Sequence, residues 1–229
     1  MKNIIFFIFI LVNIGSVYGQ SPQNFILQRG TRLDDLIRPD LLYYFSEFKN
    51  GFIYYKSKPA EYGKFNYNMF HDEIQFLNEN GNKMALASYS DVAYVSINNQ
   101  IFLYLNNGIF EVVESGRNSL LIKRRCVVKE TGKVINSTFV SHGSNVDQET
   151  NVVVNGVPKT INTKREALAK VEITPYLLNG KKITLANDIH KIKKIYNKDS
   201  EIDKYLISFP VDVNNVEDIK RLIVYCNSL

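Results

Sequence analysis

The chain has 229 residues, of which 45% are hydrophobic and 22% are charged, with 12 Gly, 6 Pro and 2 Cys. This balance is that of a globular protein, and it excludes a mainly disordered, collagen-like or disulfide-dense chain. The formal net charge of +5 is mildly basic, which suits an anionic partner without requiring one. The 25 Asn residues predict many short connections between elements, because Asn favours turns.

Residues 1–19 have the pattern of a secretory signal peptide. Lys2 gives a positively charged start, residues 4–12 form an uncharged apolar run, and Gly19 ends a stretch typical of a signal peptidase site. The run is shorter than the roughly 20 apolar residues that span a bilayer. We expect cleavage after Gly19, export to the periplasm, the cell surface or the exterior, and no transmembrane segment in the mature chain.

The mature chain divides into three parts by pattern. Residues 20–50 form an N-terminal segment in which Pro39 predicts a short helix. Residues 51–186 alternate short aromatic and β-branched runs with Asn-rich turns at intervals of roughly 8–12 residues, which is typical of an antiparallel β domain. Within it, the capping-box spacing of residues 163–166 predicts a short helix over Ala167–Ala169, and Asn179-Gly180 predicts a hairpin.

Residues 187–229 change to a helical period and predict a C-terminal helical segment packed on the β domain. Its three apolar stripes are Ile189, Ile192, Ile195 and Tyr196; Ile202, Tyr205, Leu206 and Phe209; and Val216, Ile219, Leu222, Ile223 and Cys226. The fold class expected from the whole chain is mainly β (α+β). We predict an antiparallel meander that forms a sandwich or a partly closed barrel, with C-terminal helices.

The two cysteines, Cys126 and Cys226, have two interpretations. In an exported protein they are candidates for a disulfide, which would close a loop of about 100 residues and contribute about 4–5 kcal/mol in the chain-entropy model. The alternative is two buried free thiols, because Cys packs as a small hydrophobic residue. The pattern does not place the two side chains within bonding distance, so both interpretations stay open here.

The motifs that mark common enzymes are absent from the sequence. The glycines never have the spacing of a dinucleotide-binding loop or a P-loop, and the patterns C-x-x-C, H-E-x-x-H and G-x-S-x-G do not occur. We therefore expect no cofactor and no metal site, with His71 and His190 at the surface. His142 follows Ser141, but adjacent side chains of an extended chain diverge, so the pair is a poor nucleophile and base.

A lysine-rich stretch lies in the first predicted C-terminal helix. Lys191, Lys194 and Lys198 share one helical face, which indicates contact with an anionic surface such as lipid head groups or acidic glycans. The alternative is a solvated polar face opposite the isoleucine stripe. Nucleic acid is not an expected partner, because stacking aromatic residues are not interleaved with these lysines.

Aromatic residues concentrate between residues 43 and 70. Alternation along a strand puts Phe65 and Tyr67 on one face and Asn66 and Asn68 on the other. Together with Tyr54, these residues predict a ligand-binding platform in which rings stack on a glycan and amides bind its hydroxyls. The alternative is a hairpin core with a polar outer face.

Several segments resemble an exported, uncharacterised, β-rich protein family of Bacteroidetes. The resemblance covers roughly residues 51–128 and 187–227, and it rests on GFIYYK (51–56), GKFNYN (63–68), MALA (84–87), VAYV (92–95), IKKIY (192–196), IDKY (202–205) and VEDIKRLI (216–223). It implies export from a Gram-negative cell and supplies no site residues.

The expected function is that of an exported, non-catalytic binding or envelope-associated module with an envelope or extracellular partner. The absence of a catalytic motif favours a role other than catalysis. A small hydrolase of envelope polymers that uses His142 is the alternative.

Overall fold

The computed structural model describes residues 21–27, 32–130, 151–154, 157–160 and 165–229. The predicted signal peptide and His142 lie outside the described residues. The described strands are β1 (Gln23–Leu27), β2 (Lys49–Tyr55), β3 (Glu61–Asn68), β4 (Glu73–Leu77), β5 (Lys83–Ala85), β6 (Val92–Ile97), β7 (Gln100–Leu105), β8 (Gly108–Glu114), β9 (Ser119–Glu130), β10 (Asn151–Val154), β11 (Val157–Thr160), β12 (Arg165–Asn179) and β13 (Lys182–Leu185). The described helices are α1 (Leu33–Leu36), α2 (Pro39–Leu42), α3 (Ile189–Tyr196), α4 (Asp199–Ser208) and α5 (Val216–Asn227).

Eleven strands form one antiparallel sheet. Its order is β1-β12-β9-β8-β7-β6-β2-β3-β4-β5, and β13 pairs with the second half of β12. The strands β10 and β11 form a separate hairpin. The sheet is not closed, and the helices α3, α4 and α5 follow it in the chain. The mainly β, antiparallel fold with C-terminal helices is therefore confirmed.

Asparagine turns join the central strands. Asn98 and Asn99 connect β6 to β7, and Asn106 and Asn107 connect β7 to β8, all four with positive φ. Two-residue hairpin turns of this kind need positive φ at both positions, and Asn adopts it more readily than most residues. Gly180, in the turn between β12 and β13, has φ 58°. The turn chemistry predicted from the sequence is confirmed at these positions.

The sheet curves strongly, because strands that are distant in its order meet. The strands β3 and β9 have four strands between them in the sheet order. Even so, the Tyr67 hydroxyl in β3 donates to the Arg124 carbonyl in β9 at 2.7 Å. The Cys126 amide donates to the carbonyl of Met69 at 3.0 Å. The concave face that this curvature creates is where the main core forms.

Two apolar clusters fill the inside of the molecule. The sheet cluster lies under β2, β3, β4, β6 and β7, with α2 packed on it, and includes Leu41, Ile53, Tyr67, Ile97 and Phe102. The helix cluster lies between the β9–β12–β13 end of the sheet and helices α3 to α5, and includes Ile122, Leu177, Ile192, Ile219 and Leu222. The apolar stripes predicted for the C-terminal helices supply the second cluster.

The segment after residue 164 departs from expectation. A short helix was expected there, but residues 165–179 form the long strand β12. Ala167 and Ala169 pair with β9 on one side and β1 on the other, and both are buried. The helix prediction was wrong because pairing with two neighbouring strands outweighs a local capping pattern. The short helix expected after Pro39 is present as α2.

Candidate functional site

A strip of aromatic side chains lies on the convex face of the sheet. We name Phe52, Tyr54, Tyr62 and Tyr94 the aromatic strip. Phe52 is opposite Tyr62 across β2 and β3, and Tyr54 is opposite Tyr94 across β2 and β6. Their neighbour Ile53 points into the sheet cluster. Because side chains alternate along a strand, the four rings are on the side away from that core.

The rings of the aromatic strip contact each other in sequence. The ring centroids of Tyr62 and Phe52 are 5.2 Å apart, and those of Phe52 and Tyr54 are 6.1 Å apart. Tyr54 and Tyr94 are stacked, with centroids 4.3 Å apart and an interplanar angle of 19°. Tyr62 is 64% exposed and Phe52 is 41% exposed. A continuous aromatic surface of this kind is a feature of interaction sites.

The hydroxyls of the aromatic strip are uncommitted. Within the described residues, Tyr54, Tyr62 and Tyr94 make no hydrogen bond through their hydroxyl groups. The side chains of Asn50 and Ser96 lie on the same face, because Asn50 precedes Phe52 by two positions and Ser96 is opposite Phe52. The surface therefore combines ring area with polar groups that are available to a ligand.

Four of the five residues predicted as a ligand platform are buried. Phe65 and Tyr67 belong to the sheet cluster, and Asn66 and Asn68 are also buried. Only Tyr54 of the predicted set lies on the convex face. The prediction of a surface platform at residues 65–68 was wrong, and the hairpin-core alternative accounts for Phe65 and Tyr67.

Asn66 is covered by the chain that precedes β2. Its Oδ1 atom accepts from the amides of Phe45 at 3.1 Å and Tyr67 at 2.9 Å. Its Nδ2 atom donates to the carbonyls of Phe45 at 2.8 Å and Glu47 at 3.3 Å. The side chain thus satisfies backbone groups of a strap, residues 42–47, that runs beside β3. Asn68 Oδ1 accepts from two amides of the turn between β3 and β4.

A buried ion pair lies where the two clusters meet. Glu111 is opposite Phe102 of the sheet cluster and Ile122 of the helix cluster. Its Oε2 atom accepts from Arg124 Nε at 2.9 Å, and its Oε1 atom accepts from the Tyr44 hydroxyl at 2.7 Å. Burial raises the pKa of Tyr44 well above its usual range, and the charge of Glu111 raises it further. The carboxylate is fully paired, which indicates a structural role.

A second group of polar side chains joins the turn between β3 and β4 to strand β9. The Tyr67 hydroxyl shares its single proton between the Arg124 carbonyl and Asp72 Oδ1, which is 2.8 Å from the hydroxyl oxygen. Asp72 Oδ2 accepts from Lys123 Nζ at 2.8 Å. The Lys123 ammonium also lies over the ring of Phe110. A Cβ atom at Gly108 would approach Lys123 Nζ to 2.0 Å, so glycine leaves the space for this pair. Burial raises the pKa of Tyr67 far above its usual range, which keeps its hydroxyl protonated as a donor.

The predicted three-lysine helical face is interrupted, because α3 ends at Tyr196 and Asn197 has φ 54°. Lys191 and Lys194 are on α3, whereas Lys198 is the N-cap of α4. Lys191, Lys194 and Lys198 are all exposed, whereas Ile192 between them is buried in the helix cluster. Lys191 donates to the Asn187 side chain at 3.0 Å, and Lys198 is 3.9 Å from Glu201. Contact of this face with an anionic surface stays a prediction, and the exposure is equally that of a solvated face.

The two cysteines are free thiols in different clusters. Cys126 packs in the sheet cluster and Cys226 in the helix cluster. The disulfide expected as one interpretation is therefore wrong, because each side chain is enclosed in a separate apolar environment. Burial raises the pKa of Cys126 to about 11 and that of Cys226 to about 12.

The histidines within the described residues do not form a catalytic pair. His71 Nε2 is 3.0 Å from Asp34, and His190 is exposed beside the N-cap of α3. No group of three His, Cys, Asp or Glu side chains in the described segments is placed to hold a metal ion. The hydrolase alternative depends on His142, which the structure does not describe, so it stays a prediction.

No protein-family model, no curated protein and no solved structure matches this chain. The resemblance to an exported Bacteroidetes family thus stays a prediction. Among the helices of the described residues, none has the length and apolar character needed to cross a membrane.

Sequence reasoning missed three members of the aromatic strip. The signal was present, because Phe52 and Tyr54 flank Ile53 at period two and all three are apolar. A strand that is apolar on both faces either is buried on both or covers a core with one face and presents the other at the surface, and β2 is of the second kind. The pairing of Phe52 with Tyr62 and of Tyr54 with Tyr94 required the sheet order.

Proposed function

We propose that this protein is an exported, non-catalytic binding module whose binding surface is the aromatic strip. The observation that carries the proposal is the combination of contiguous rings, two exposed and two partly exposed, with three phenol hydroxyls that have no hydrogen-bond partner among the described residues. Export is supported by the signal-peptide pattern of residues 1–19. The partner is then a component of the cell envelope or its surroundings.

The ligand class that fits this surface best is an extended neutral glycan. Small-molecule sites are concave, whereas the strip follows a sheet face, which suits a polymer that lies across it. Sugar rings expose C–H faces that pack on aromatic rings and hydroxyls that bond to polar groups at the rim. Phenol hydroxyls and the side chains of Asn50 and Ser96 supply such groups without charge, and exposed Lys64, opposite Asn50, adds one positive charge at the end of the strip.

The test is affinity electrophoresis of the mature protein in gels that contain soluble xylan, starch or β-glucan. We expect at least one polysaccharide to retard the protein, and Tyr62→Ala and Tyr94→Ala to weaken the retardation by about 5- to 30-fold in apparent Kd. Loss of a stacked ring is worth about 1–2 kcal/mol, which corresponds to this order of change.

The matched control is Phe209→Ala, which removes a ring that is 60% exposed at the end of α4, outside the strip. It should leave retardation unchanged. The proposal fails if no polysaccharide retards the protein, or if Phe209→Ala weakens the retardation as much as Tyr62→Ala. Thermal melts of each variant separate loss of binding from loss of folding.

A further inference from the structure

One edge of the long strand β12 has a stretch that pairs with no strand among the described residues. Along one side it pairs with β9 over residues 167–178. Along the other side, β1 pairs with residues 165–169 and β13 pairs with residues 176–179. In the described part of the chain, no strand pairs with this side of residues 170–174. Five residues of strand leave an opening about 17 Å long.

The backbone groups of Val171 and Ile173 point into this opening. Val171 is opposite Cys126, whose amide donates away from β12 to Met69, so the two residues are a non-hydrogen-bonded pair of β9 and β12. The Val171 amide and carbonyl therefore face the other edge. The Pro175 carbonyl accepts from the Ala186 amide on that same edge. The backbone groups of successive strand residues point to alternate edges. Ile173 is two residues from both Val171 and Pro175, so its amide and carbonyl point to this same edge.

A cavity lined by both polar and apolar side chains adjoins the opening. It has a volume of about 180 Å³ and lies between β12 and the start of α5. The side chains that line it are Ile173, Thr174, Pro175, Asn187, Val213, Asn214, Val216 and Ile219. The Ile173 side chain is 43% exposed although its neighbours in the strand are more buried. The opening thus offers two unpaired backbone positions beside a space for one side chain.

We propose that this opening binds an extended peptide segment of a partner protein as an added β-strand. Unpaired amide and carbonyl groups at strand spacing are complementary to the backbone of another extended chain. The adjoining cavity would accept one side chain of that segment. Because β1 and β13 flank the opening in the plane of the sheet, an added strand can pair with β12 only over the residues between them.

The chain's own entry into β1 does not fill the opening in the described residues. If β1 extended towards the N-terminus in the same antiparallel register, Pro22 would lie opposite Lys170 and Ser21 opposite Val171. However, the Ser21 carbonyl accepts from the Arg38 guanidinium at 3.0 Å, and Ser21 and Pro22 lie outside the strand. Self-occupation by a segment outside the described residues is therefore an outcome for the experiment to distinguish. The proposal is independent of the glycan surface, which lies on other strands.

The test is residue-resolved amide exchange by NMR on the mature protein, with the acetylated and amidated pentapeptide Thr-Val-Thr-Val-Thr. Without peptide, the Val171 and Ile173 amides should exchange at least 10-fold faster than the Glu172 amide, which faces β9. Millimolar peptide should slow Val171 and Ile173 at least 10-fold and leave Glu172 unchanged. The same peptide N-methylated at alternate residues should have no effect.

Two results would overturn the proposal. Slow exchange of Val171 and Ile173 in the protein alone would mean that the chain itself fills the opening. Fast exchange that no concentration of the peptide changes would mean that the edge does not bind a strand. Ile173→Pro, which removes one donor, should abolish the peptide effect at Val171, and Ile173→Val should retain it. The measurement on the unaltered chain decides the question even if the proline variant does not fold.

Discussion

The sheet cluster and the helix cluster are closed by different means. The helix cluster is covered by three helices, which satisfy most of their backbone groups internally and add apolar stripes. The sheet cluster is covered by the curvature of the sheet and by the strap at residues 42–47. There, side chains such as Asn66, Tyr67 and Asp72 must bond to the backbone or to each other. Buried polar side chains are more numerous around the curved sheet, whereas beside the helix cluster the described residues have buried Asn118, which bonds to Asn227 of α5.

The largest loss of stability is expected from breaking the ion pair of Glu111 and Arg124, which joins the two clusters. Glu111→Ala leaves Arg124 and the Tyr44 hydroxyl without their carboxylate partner. A broken buried pair costs about 3–5 kcal/mol, so the free energy of unfolding should fall by that amount. Urea titration followed by circular dichroism and by tyrosine fluorescence measures it, and both signals should shift together because Glu111 contacts both clusters.

The double variant Glu111→Met with Arg124→Met is the matched control. It replaces both charges with apolar side chains of similar length, which is often neutral or stabilising at a buried pair. We expect it to be at least 2 kcal/mol more stable than Glu111→Ala, in line with that principle. Equal losses in the two variants would contradict the assignment of the effect to the unpaired charge.

Two variants with intermediate expected losses of stability compare the sheet cluster with the helix cluster. Asn66→Ala leaves the amide of Phe45 and two strap carbonyls without their partner, and unsatisfied buried groups cost about 1–3 kcal/mol. Asn215→Ala removes the cap of α5, where Oδ1 accepts from the amides of Glu217 and Asp218. A lost N-cap costs about 1 kcal/mol. Chemical denaturation of both variants measures the difference.

The region that loses protection from amide exchange provides a second measurement for Asn66→Ala and Asn215→Ala. Amide exchange should accelerate at residues 42–47 in Asn66→Ala and in the first turn of α5 in Asn215→Ala. A larger loss in Asn215→Ala than in Asn66→Ala would contradict the view that the sheet cluster depends more strongly on polar side chains.

The smallest effect at neutral pH concerns the two thiols. Because burial raises the pKa of Cys126 to about 11 and that of Cys226 to about 12, both should be protonated and react slowly with iodoacetamide at pH 8. Mass spectrometry should find no disulfide and two alkylated thiols only after denaturation. Fast labelling of either thiol in the native protein would contradict its burial.

The thiols of Cys126 and Cys226 also determine how the stability of the fold changes at alkaline pH. A folded pKa above the ordinary value of 9 means that the native state keeps protons which the unfolded state releases. The contribution to stability is complete below pH 9 and is lost as the pH rises towards 11 to 12. Replacing both cysteines with Ala should weaken this alkaline dependence, as measured by melting temperatures across that range.

The elements that could be predicted from the sequence depend on local order. The stripes of α3, α4 and α5 repeat at helical spacing, and Asn98-Asn99 and Asn106-Asn107 mark turns whose positive φ few other residues tolerate. The residues of the site were less predictable. Alternation correctly separated Phe65 and Tyr67 from Asn66 and Asn68, but it gave no information about the strap that covers Asn66.

The amino-acid sequence by itself determined the class of the fold, its antiparallel turns and the position of its C-terminal helices, because periodicity and turn chemistry act over a few residues. Only the tertiary structure decided which face of β2 stays open, that β12 is a strand, and that Cys126 and Cys226 lie apart. Those features depend on which strands become neighbours and how far the sheet curves. Such contacts join residues distant in the chain, such as Tyr67 and Arg124, and no local pattern encodes them.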